Sequence, residues 1–179
     1  MFGFRKKKQA MPAAEAEKQE KQAGIKTGTI DLFAPADGEL IALESVSDPV
    51  FSQKMMGDGF AVVPQGHTIV SPIEGKVVLC APTAHAIGLE SQGVSLLVHC
   101  GFDTVNLNGE GLQLQVQEGD SVKAGDPLLV FDEKMMQAKG IDMTTPVVIT
   151  EPGEFVLELV APGPVHARDV IGHLKNSQD

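Results

Sequence analysis

The chain has 179 residues, of which 42% are apolar and 21% are charged, and its formal net charge is -10. This size suits a single globular domain with its own core, and no apolar run approaches the roughly 20 residues that a membrane-spanning helix needs. The acidic composition argues against a nucleic-acid-binding protein, because such proteins hold phosphates with Lys and Arg.

The charge is divided unevenly along the chain. Residues 1–26 hold seven Lys and Arg against three acids, a net charge of +4, whereas the remainder holds seven against 21, a net charge of -14. We interpret residues 1–26 as a tether that lacks the apolar content to pack. Phe2 and Phe4 stand beside four consecutive basic residues, so residues 1–8 are predicted to contact an anionic membrane surface; a merely solvated tail is the alternative. The start lacks the apolar stretch of a secretory signal, which favours a cytoplasmic location.

From Thr29 onward, short apolar or alternating runs are separated by Pro and Gly, a texture typical of all-β proteins. Such strands bury their inner faces by closing into a sandwich or barrel. The segments 34–39 and 71–76 form a weak repeat, each with a Pro turn, an acid and a Gly before an apolar strand. Eleven strands are predicted: Thr29 to Phe33, Glu39 to Leu43, Phe60 to Val63, Thr68 to Val70, Lys76 to Cys80, Ala86 to Leu89, Val94 to Cys100, Leu112 to Val116, Pro127 to Phe131, Pro146 to Ile149 and Phe155 to Leu159.

Two short helical segments are also predicted. Glu133 to Lys139 has Asp132 as an N-cap and Gly140 as a stop signal. A shorter turn is expected from Phe51 to Met56.

Two of the five histidines are brought together by the predicted hairpin. A three-residue loop at 91–93 would pair Glu90 with Val94, and five steps further back His85 would face His99. Directly opposed residues have β-carbons about 4.5 to 5.5 Å apart, so the two imidazoles could share one small ligand.

The neighbours of His99 suit a nucleophile. Strand alternation places Leu97 and His99 on one face, among aliphatic side chains that favour neutral imidazole. A backbone carbonyl near Gly101 could accept the Nδ1 proton and leave the Nε2 lone pair facing outward. Thr83 supplies a hydroxyl close to His85.

Other interpretations of these residues stay open at this point. Paired histidines on strands are often only hydrogen-bonded structural residues. His99 and Asp103 have a spacing used by some zinc peptidases, but a complete ligand set is not visible. His85 and His99 could bind adventitious zinc. Cys100 is expected to point away from His99 as a small buried residue.

A group of flexible apolar side chains precedes the Gly-Asp-Gly segment at 57–59. Its members, Val50, Phe51, Met55 and Met56, would serve equally as core or as a surface for several docking partners.

From about residue 27 to Leu159, the chain resembles the glucose-family enzyme IIA of the bacterial sugar phosphotransferase system. The resemblance rests on an ordered set of motifs: Ala34-Pro35, Gly38-Glu39, Asp48 with Val50-Phe51, Gly57-Asp58-Gly59, Ser71-Pro72, Gly75, Thr83-x-His85, Leu97-Val98-His99-x-Gly101-x-Asp103-Thr104-Val105, Gly109-Glu110-Gly111, Gly119-Asp120, Gly125-Asp126 and Thr145-Pro146-Val147-Val148.

The resemblance implies an all-β sandwich or barrel of the duplicated hybrid type, with one or two short helices. It further implies that His99 carries a phosphoryl group on Nε2, that His85 assists together with Thr83, and that the Gly101 carbonyl orients His99. The donor would be the histidine phosphocarrier protein HPr, and the acceptor a cysteine on the IIB domain of a sugar permease. Neither step in this family requires a metal ion or another cofactor.

The same resemblance implies a docking surface and a domain division. Val50, Phe51, Met55, Met56 and Leu97 would ring the site, with Asp103 beside them. A second implied role is regulatory binding of transporters or enzymes through this face. The expected organisation is a basic tail at 1–26, the IIA domain at 27–165 and a loosely matched extension at 166–179.

Overall fold

The computed structural model describes residues 28–177, so the predictions for the basic tail lie outside the described residues. The regular structure in this part of the chain consists mainly of short strands. They are β1 (Thr29–Phe33), β2 (Gly38–Ala42), β3 (Asp58–Pro64), β4 (Thr68–Val70), β5 (Gly75–Cys80), β6 (Ala86–Ser91), β7 (Val94–His99), β8 (Leu112–Leu114), β9 (Ser121–Val122), β10 (Pro127–Phe131), β11 (Thr145–Glu151), β12 (Phe155–Leu159), β13 (Gly163–Val165) and β14 (Val170–Asn176).

The strands form three antiparallel sheets. The largest has the order β13-β2-β3-β11-β7-β6-β5-β9, and the two smaller sheets have the orders β1-β14-β12 and β4-β10-β8. One continuous core joins them, with Leu32, Phe60, Ile69, Leu129 and Ile171 fully buried. The predicted all-β sandwich or barrel with short helices is therefore confirmed.

The two copies of the predicted repeat lie against each other. The Phe33 amide donates to the Pro72 carbonyl at 2.9 Å, and the Val70 amide donates to the Pro35 carbonyl at 2.7 Å. The proline carbonyl of each turn thus accepts a hydrogen bond from the end of the strand that leads into the other turn. This reciprocal arrangement is the one expected of duplicated β elements.

Two helices interrupt the strands, α1 (Pro49–Ser52) and α2 (Glu133–Lys139). The predicted caps of α2 are confirmed: the Asp132 side chain accepts from the Met135 amide, and Gly140 adopts the left-handed conformation. The α1 turn begins two residues before its predicted start. Asp48 caps its N-terminus and proline occupies its first position, which together fix the start of a helix.

Three strands, β9, β13 and β14, were not predicted. Of these, β14 is the central strand of the three-stranded sheet β1-β14-β12 and pairs with both of its neighbours. Its side chains Ile171 and Leu174 are fully buried in the core. The predicted boundary at residue 165 therefore does not separate the last strand from the domain.

Candidate active site

A second hydrophobic cluster lies on the face of the large sheet opposite the main core. The turn α1 and a 3-10 helix at Leu43–Ser45 cover this face. The buried members of the cluster are Leu43, Val46, Phe51, Ala61, Phe102 and Val148, and Leu97 packs against them. This cluster supports the side of the molecule on which His99 lies.

The hairpin that carries the histidines differs by one residue from the prediction. Ser91 pairs with Val94, so the loop has two residues, and Ala86 rather than His85 lies opposite His99. Both loop residues have positive φ, 50° at Gln92 and 86° at Gly93. Two-residue loops of this kind match the twist of the flanking strands, which explains why the shorter loop forms.

The two imidazoles nevertheless meet. His85 comes just before the first residue of β6 and just after Ala84, which has a φ of 60°. Its side chain therefore does not have to follow the alternation of side chains along the strand. The Cys100 amide donates to the His85 carbonyl at 2.7 Å and holds the loop against the end of β7. The ring centroids of His85 and His99 are 5.2 Å apart in an edge-on arrangement.

His99 is held in one orientation by its surroundings. Its Nδ1 lies 2.8 Å from the Gly101 carbonyl, and since a carbonyl only accepts, Nδ1 carries the proton. Neutral His99 therefore keeps its lone pair on Nε2. Burial is the main cause that lowers the pKa of His99; His85 lowers it further, while the Gly101 carbonyl and the Asp48 carboxylate oppose the shift.

His85 is fixed by a hydroxyl. Thr83 Oγ1 lies 2.6 Å from His85 Nδ1, and burial lowers the pKa of His85 as well. We assign the hydrogen bond with Thr83 as donor, which leaves the proton of neutral His85 on Nε2. The site then pairs an acceptor, His99 Nε2, with a donor, His85 Nε2. That combination suits attack on a centre that carries negative oxygens.

The predicted docking residues do not all lie on the surface. Met55 is 70% exposed, and Val50 and Met56 are about 40% exposed. Leu97 is partly buried and Asp103 is exposed.

Phe51 departs from the predicted docking surface. It is only 3% exposed, and its ring centroid lies 5.0 Å from that of His99. A partner cannot reach a buried ring, so Phe51 lies behind His99 as part of the supporting cluster.

Asp48 is a site residue that the sequence analysis did not select. Its side chain caps α1 by accepting from the Val50 amide, and its charge acts on His99. The sequence does contain a signal for the cap, because Asp followed by Pro is typical of a helix start. The family resemblance placed the following apolar residues around the site, but no local signal in the sequence assigns the Asp48 charge to His99.

The remaining histidines lie elsewhere. His67 and His166 are exposed, and His173 Nδ1 lies 2.8 Å from Asp31 Oδ1 on the neighbouring strand. Cys100 is fully buried, as predicted, and burial raises the pKa of its thiol to about 12.

No group of three or more His, Cys, Asp or Glu side chains within residues 28–177 is placed to hold a metal ion. The zinc-peptidase interpretation therefore finds no ligand set in the part of the chain that the structure describes.

The histidines do not lie in the groove that borders the other end of the hairpin. That groove has a volume of about 810 Å³ and is lined by residues of β1, β5 and β9 and by the hairpin loop. The histidine site is instead set in an apolar face of the large sheet. None of the helices within residues 28–177 is long and apolar enough to cross a membrane.

Comparison with known proteins gives consistent results. The family model described as "phosphoenolpyruvate-dependent sugar phosphotransferase system, EIIA 1" matches residues 30–155. The PTS system glucose-specific EIIA component of Staphylococcus epidermidis is 47% identical over 122 residues, which cover 68% of this chain and 74% of that protein.

Two further similar proteins extend the comparison. The PTS system glucoside-specific EIICBA component of Staphylococcus carnosus is 42% identical over 142 residues, which cover 79% of this chain but 20% of that longer protein. The solved structure of glucose permease IIA from Mycoplasma capricolum superposes with a TM-score of 0.78 at 38% identity, covering 83% of this chain and 97% of the other.

Proposed function

This chain belongs to the EIIA 1 family of the phosphoenolpyruvate-dependent sugar phosphotransferase system, and on that premise we propose that it carries a phosphoryl group on His99 Nε2. Membership makes it a phosphotransferase component of sugar uptake. The observation that carries the proposal is the geometry of His99: its Nδ1 proton is held by the Gly101 carbonyl, and its Nε2 lone pair is free to attack.

The proposed transfer balances without an added cofactor. The Nε2 lone pair of His99 attacks the phosphorus of a phosphohistidine on the donor, HPr, and the donor's P–N bond breaks with its electron pair returning to the donor imidazole. In the second step, a cysteine thiolate of a IIB domain attacks the same phosphorus, and the P–N bond at His99 breaks. The His99 Nδ1 proton stays in place throughout, hydrogen-bonded to Gly101.

The surrounding groups would assist by position and charge. An Nε2–H of His85, 5.2 Å away between ring centroids, would donate to an equatorial phosphoryl oxygen and stabilise the charge that spreads there in the transition state. Thr83 would keep His85 in the required tautomer.

The partners would dock on the exposed apolar residues around the site. Val50, Met55 and Met56 offer flexible side chains that adapt to more than one surface, and Leu97 and the acidic Asp103 border them. The fused EIICBA relative supports a IIB partner, because a IIA-like segment there forms part of one longer chain. An acidic body favours basic partner surfaces and fast exchange between them.

The proposal places the protein in the cytoplasm, with residues 1–8 in contact with the inner membrane surface. Regulated transporters or enzymes that use the apolar face would compete with these partners. A phosphoryl dianion on His99 would oppose such binding, so equal binding of phosphorylated and unphosphorylated protein would exclude that role.

Phosphorylation in a reconstituted system tests the proposal. With labelled phosphoenolpyruvate, enzyme I and HPr, we expect one acid-labile, base-stable phosphate per chain and none on His99→Ala. His85→Ala should still be labelled, but more slowly, because one transition-state donor is lost. Label on the His99→Ala protein would refute the proposal, and unchanged kinetics in His85→Ala would refute the role of His85.

A further inference from the structure

The imidazole of His99 has an apolar neighbour whose function is not explained by docking. The Phe51 ring lies 5.0 Å from the His99 ring, with the two planes inclined by 57°. Phe51 is almost completely buried, so it is not available to a partner protein. Its contact with His99 is therefore made in the free protein, before any partner arrives.

Phe51 is itself held from several sides. The Phe102 ring lies 6.0 Å away, and both rings belong to the buried cluster on this face of the sheet. The turn α1 that carries Phe51 is capped by Asp48, and the Lys54 amide donates to the Phe51 carbonyl at 2.9 Å. A side chain fixed in this way presents a rigid surface to its neighbours.

An ion-pair network involves Lys54, two residues after the end of this turn. Lys54 Nζ lies 2.6 Å from Glu44 and 2.8 Å from Asp58, which belong to the 3-10 helix at Leu43–Ser45 and to β3. The pKa of Lys54 is raised, chiefly by its hydrogen bond to Asp58 and then by that to Glu44. The network connects the segment after the turn to two other elements.

A single hydrogen bond does not fix an imidazole ring. The bond from Nδ1 to the Gly101 carbonyl still allows the ring to tilt about its bond to the β-carbon, and each tilt moves Nε2 on the far side of the ring. Phe51 on one side and His85 on another remove that freedom, and Phe51 also keeps water from its side. Small errors in the direction of attack cost large factors in rate when two reactants must be aligned.

We propose that Phe51 is a positioning residue, whose ring holds the His99 imidazole so that Nε2 stays aimed at the incoming phosphoryl group. The inference rests on the function proposed above, because it concerns the same transfer. It adds that one buried ring of the apolar cluster, that of Phe51, has a catalytic consequence besides stability, exerted through His99 and without contact between Phe51 and the substrate.

The test replaces the ring by an aliphatic side chain. In Phe51→Leu we expect phosphoryl transfer to His99 to slow by about tenfold. In ¹⁵N spectra of the neutral state, His99 should change from the single Nδ1–H tautomer to a mixture, because the ring now leaves the Gly101 carbonyl part of the time. Phe51→Met, which is flexible and lacks a flat ring, replaces this variant if the leucine protein does not fold.

Leu43→Ala is the matched control. Leu43 is fully buried in the same cluster, so its truncation lowers thermal stability while the Phe51 contact to His99 is kept. The control should show the tautomer and the transfer rate of the unmodified protein. An unchanged tautomer and rate in Phe51→Leu would overturn the inference, as would equal changes in Leu43→Ala. If unmodified His99 takes no phosphate at all, the proposed function fails instead, and the tautomer measurement still decides the role of Phe51.

Discussion

His99 combines a partly buried ring with a proton position that is fixed by one backbone carbonyl. Burial lowers its pKa below the ordinary value of 6.5 and keeps the imidazole neutral, whereas the Gly101 carbonyl decides which nitrogen bears the proton. The charged groups that act on it are His85, which lowers its pKa, and Asp48, which raises it. The nucleophile is therefore prepared by its environment before a donor docks.

The rate of phosphorylation should report this lowered pKa. Only neutral His99 accepts a phosphoryl group, so we expect single-turnover transfer to stay level as the pH falls to 6.5 and to decline only below it. NMR titration of His99 separates its ionisation from that of the donor. A decline centred at or above 6.5 that follows His99 in the titration would contradict the burial argument.

The same shift has a consequence for stability. Between the pKa values of the folded and unfolded states, unfolded His99 binds the proton more readily, so unfolding is favoured as the pH falls through 6.5 and below. Well above pH 6.5, His99 is neutral in both the folded and the unfolded state, so this loss of stability does not occur there.

Much of the site's membership was predictable from residue types and motif spacing. The contacts of Thr83 with His85 and of Gly101 with His99 are present in the structure, while the chemical roles of these residues remain predictions. The residues alone left Phe51 open between core and docking surface, because an apolar residue in a short turn has no local signal of burial, and the family resemblance then placed it on the docking surface. Its burial depends on the cluster formed with Phe102 and Val148, which are distant in sequence.

At the scale of elements, the β6–β7 hairpin shows what local patterns leave open. The strands were predicted, but their register was wrong by one residue. Gln92 adopts a φ of 50°, which residues other than Gly, Asn and Asp seldom do, so the sequence favoured a longer loop with Gly93 alone in that conformation. The twist of the paired strands decides the loop, and that twist is not visible in the loop sequence.

Adding a methyl group at Gly101, just after β7, should disturb the protein more than adding one in the hairpin loop. A β-carbon on Gly101 would lie 2.7 Å from Thr104 and 2.9 Å from Met143, and the backbone φ there is 78°. Gly101→Ala should therefore slow transfer strongly and destabilise the fold, because the carbonyl that orients His99 must move. Thermal unfolding and transfer kinetics measure the two effects.

Gly93→Ala is the control for backbone strain alone. Its φ is 86°, but a β-carbon there meets nothing within 4 Å. We expect a loss of roughly 1–2 kcal/mol in unfolding free energy and an unchanged transfer rate. Equal slowing of transfer in both variants would show that the Gly101 position has no special connection with His99.

At the scale of the whole molecule, the domain extends further than the motifs indicate. The family match ends at residue 155, yet β12 and β14 complete the small sheet with β1. The approach to β14 contains Pro164 and Arg168, which has a φ of 75°, so the sequence there lacks a regular alternating pattern. Pairing with β1, more than 130 residues earlier, specifies this strand, and such long-range pairing is hidden from local analysis.

The division of charge along the chain gives a prediction about location. The basic tail, outside the described residues, carries +4 against -14 for the rest. We expect the full chain to bind vesicles that contain anionic lipid, and a chain lacking residues 1–26 to lose this binding but to keep its rate of phosphoryl transfer. Sedimentation with vesicles of graded anionic content measures the effect, and binding that ignores anionic lipid would count against it.

The most direct test of the account is to locate the phosphoryl group at atomic resolution. After phosphorylation of ¹⁵N-labelled protein by phosphoenolpyruvate, enzyme I and HPr, ¹⁵N and ³¹P spectra identify the nitrogen bonded to phosphorus. The geometry around Gly101 predicts a single P–N bond at His99 Nε2, with Nδ1 still protonated. A bond at His99 Nδ1, or at any other residue, would contradict the central claim.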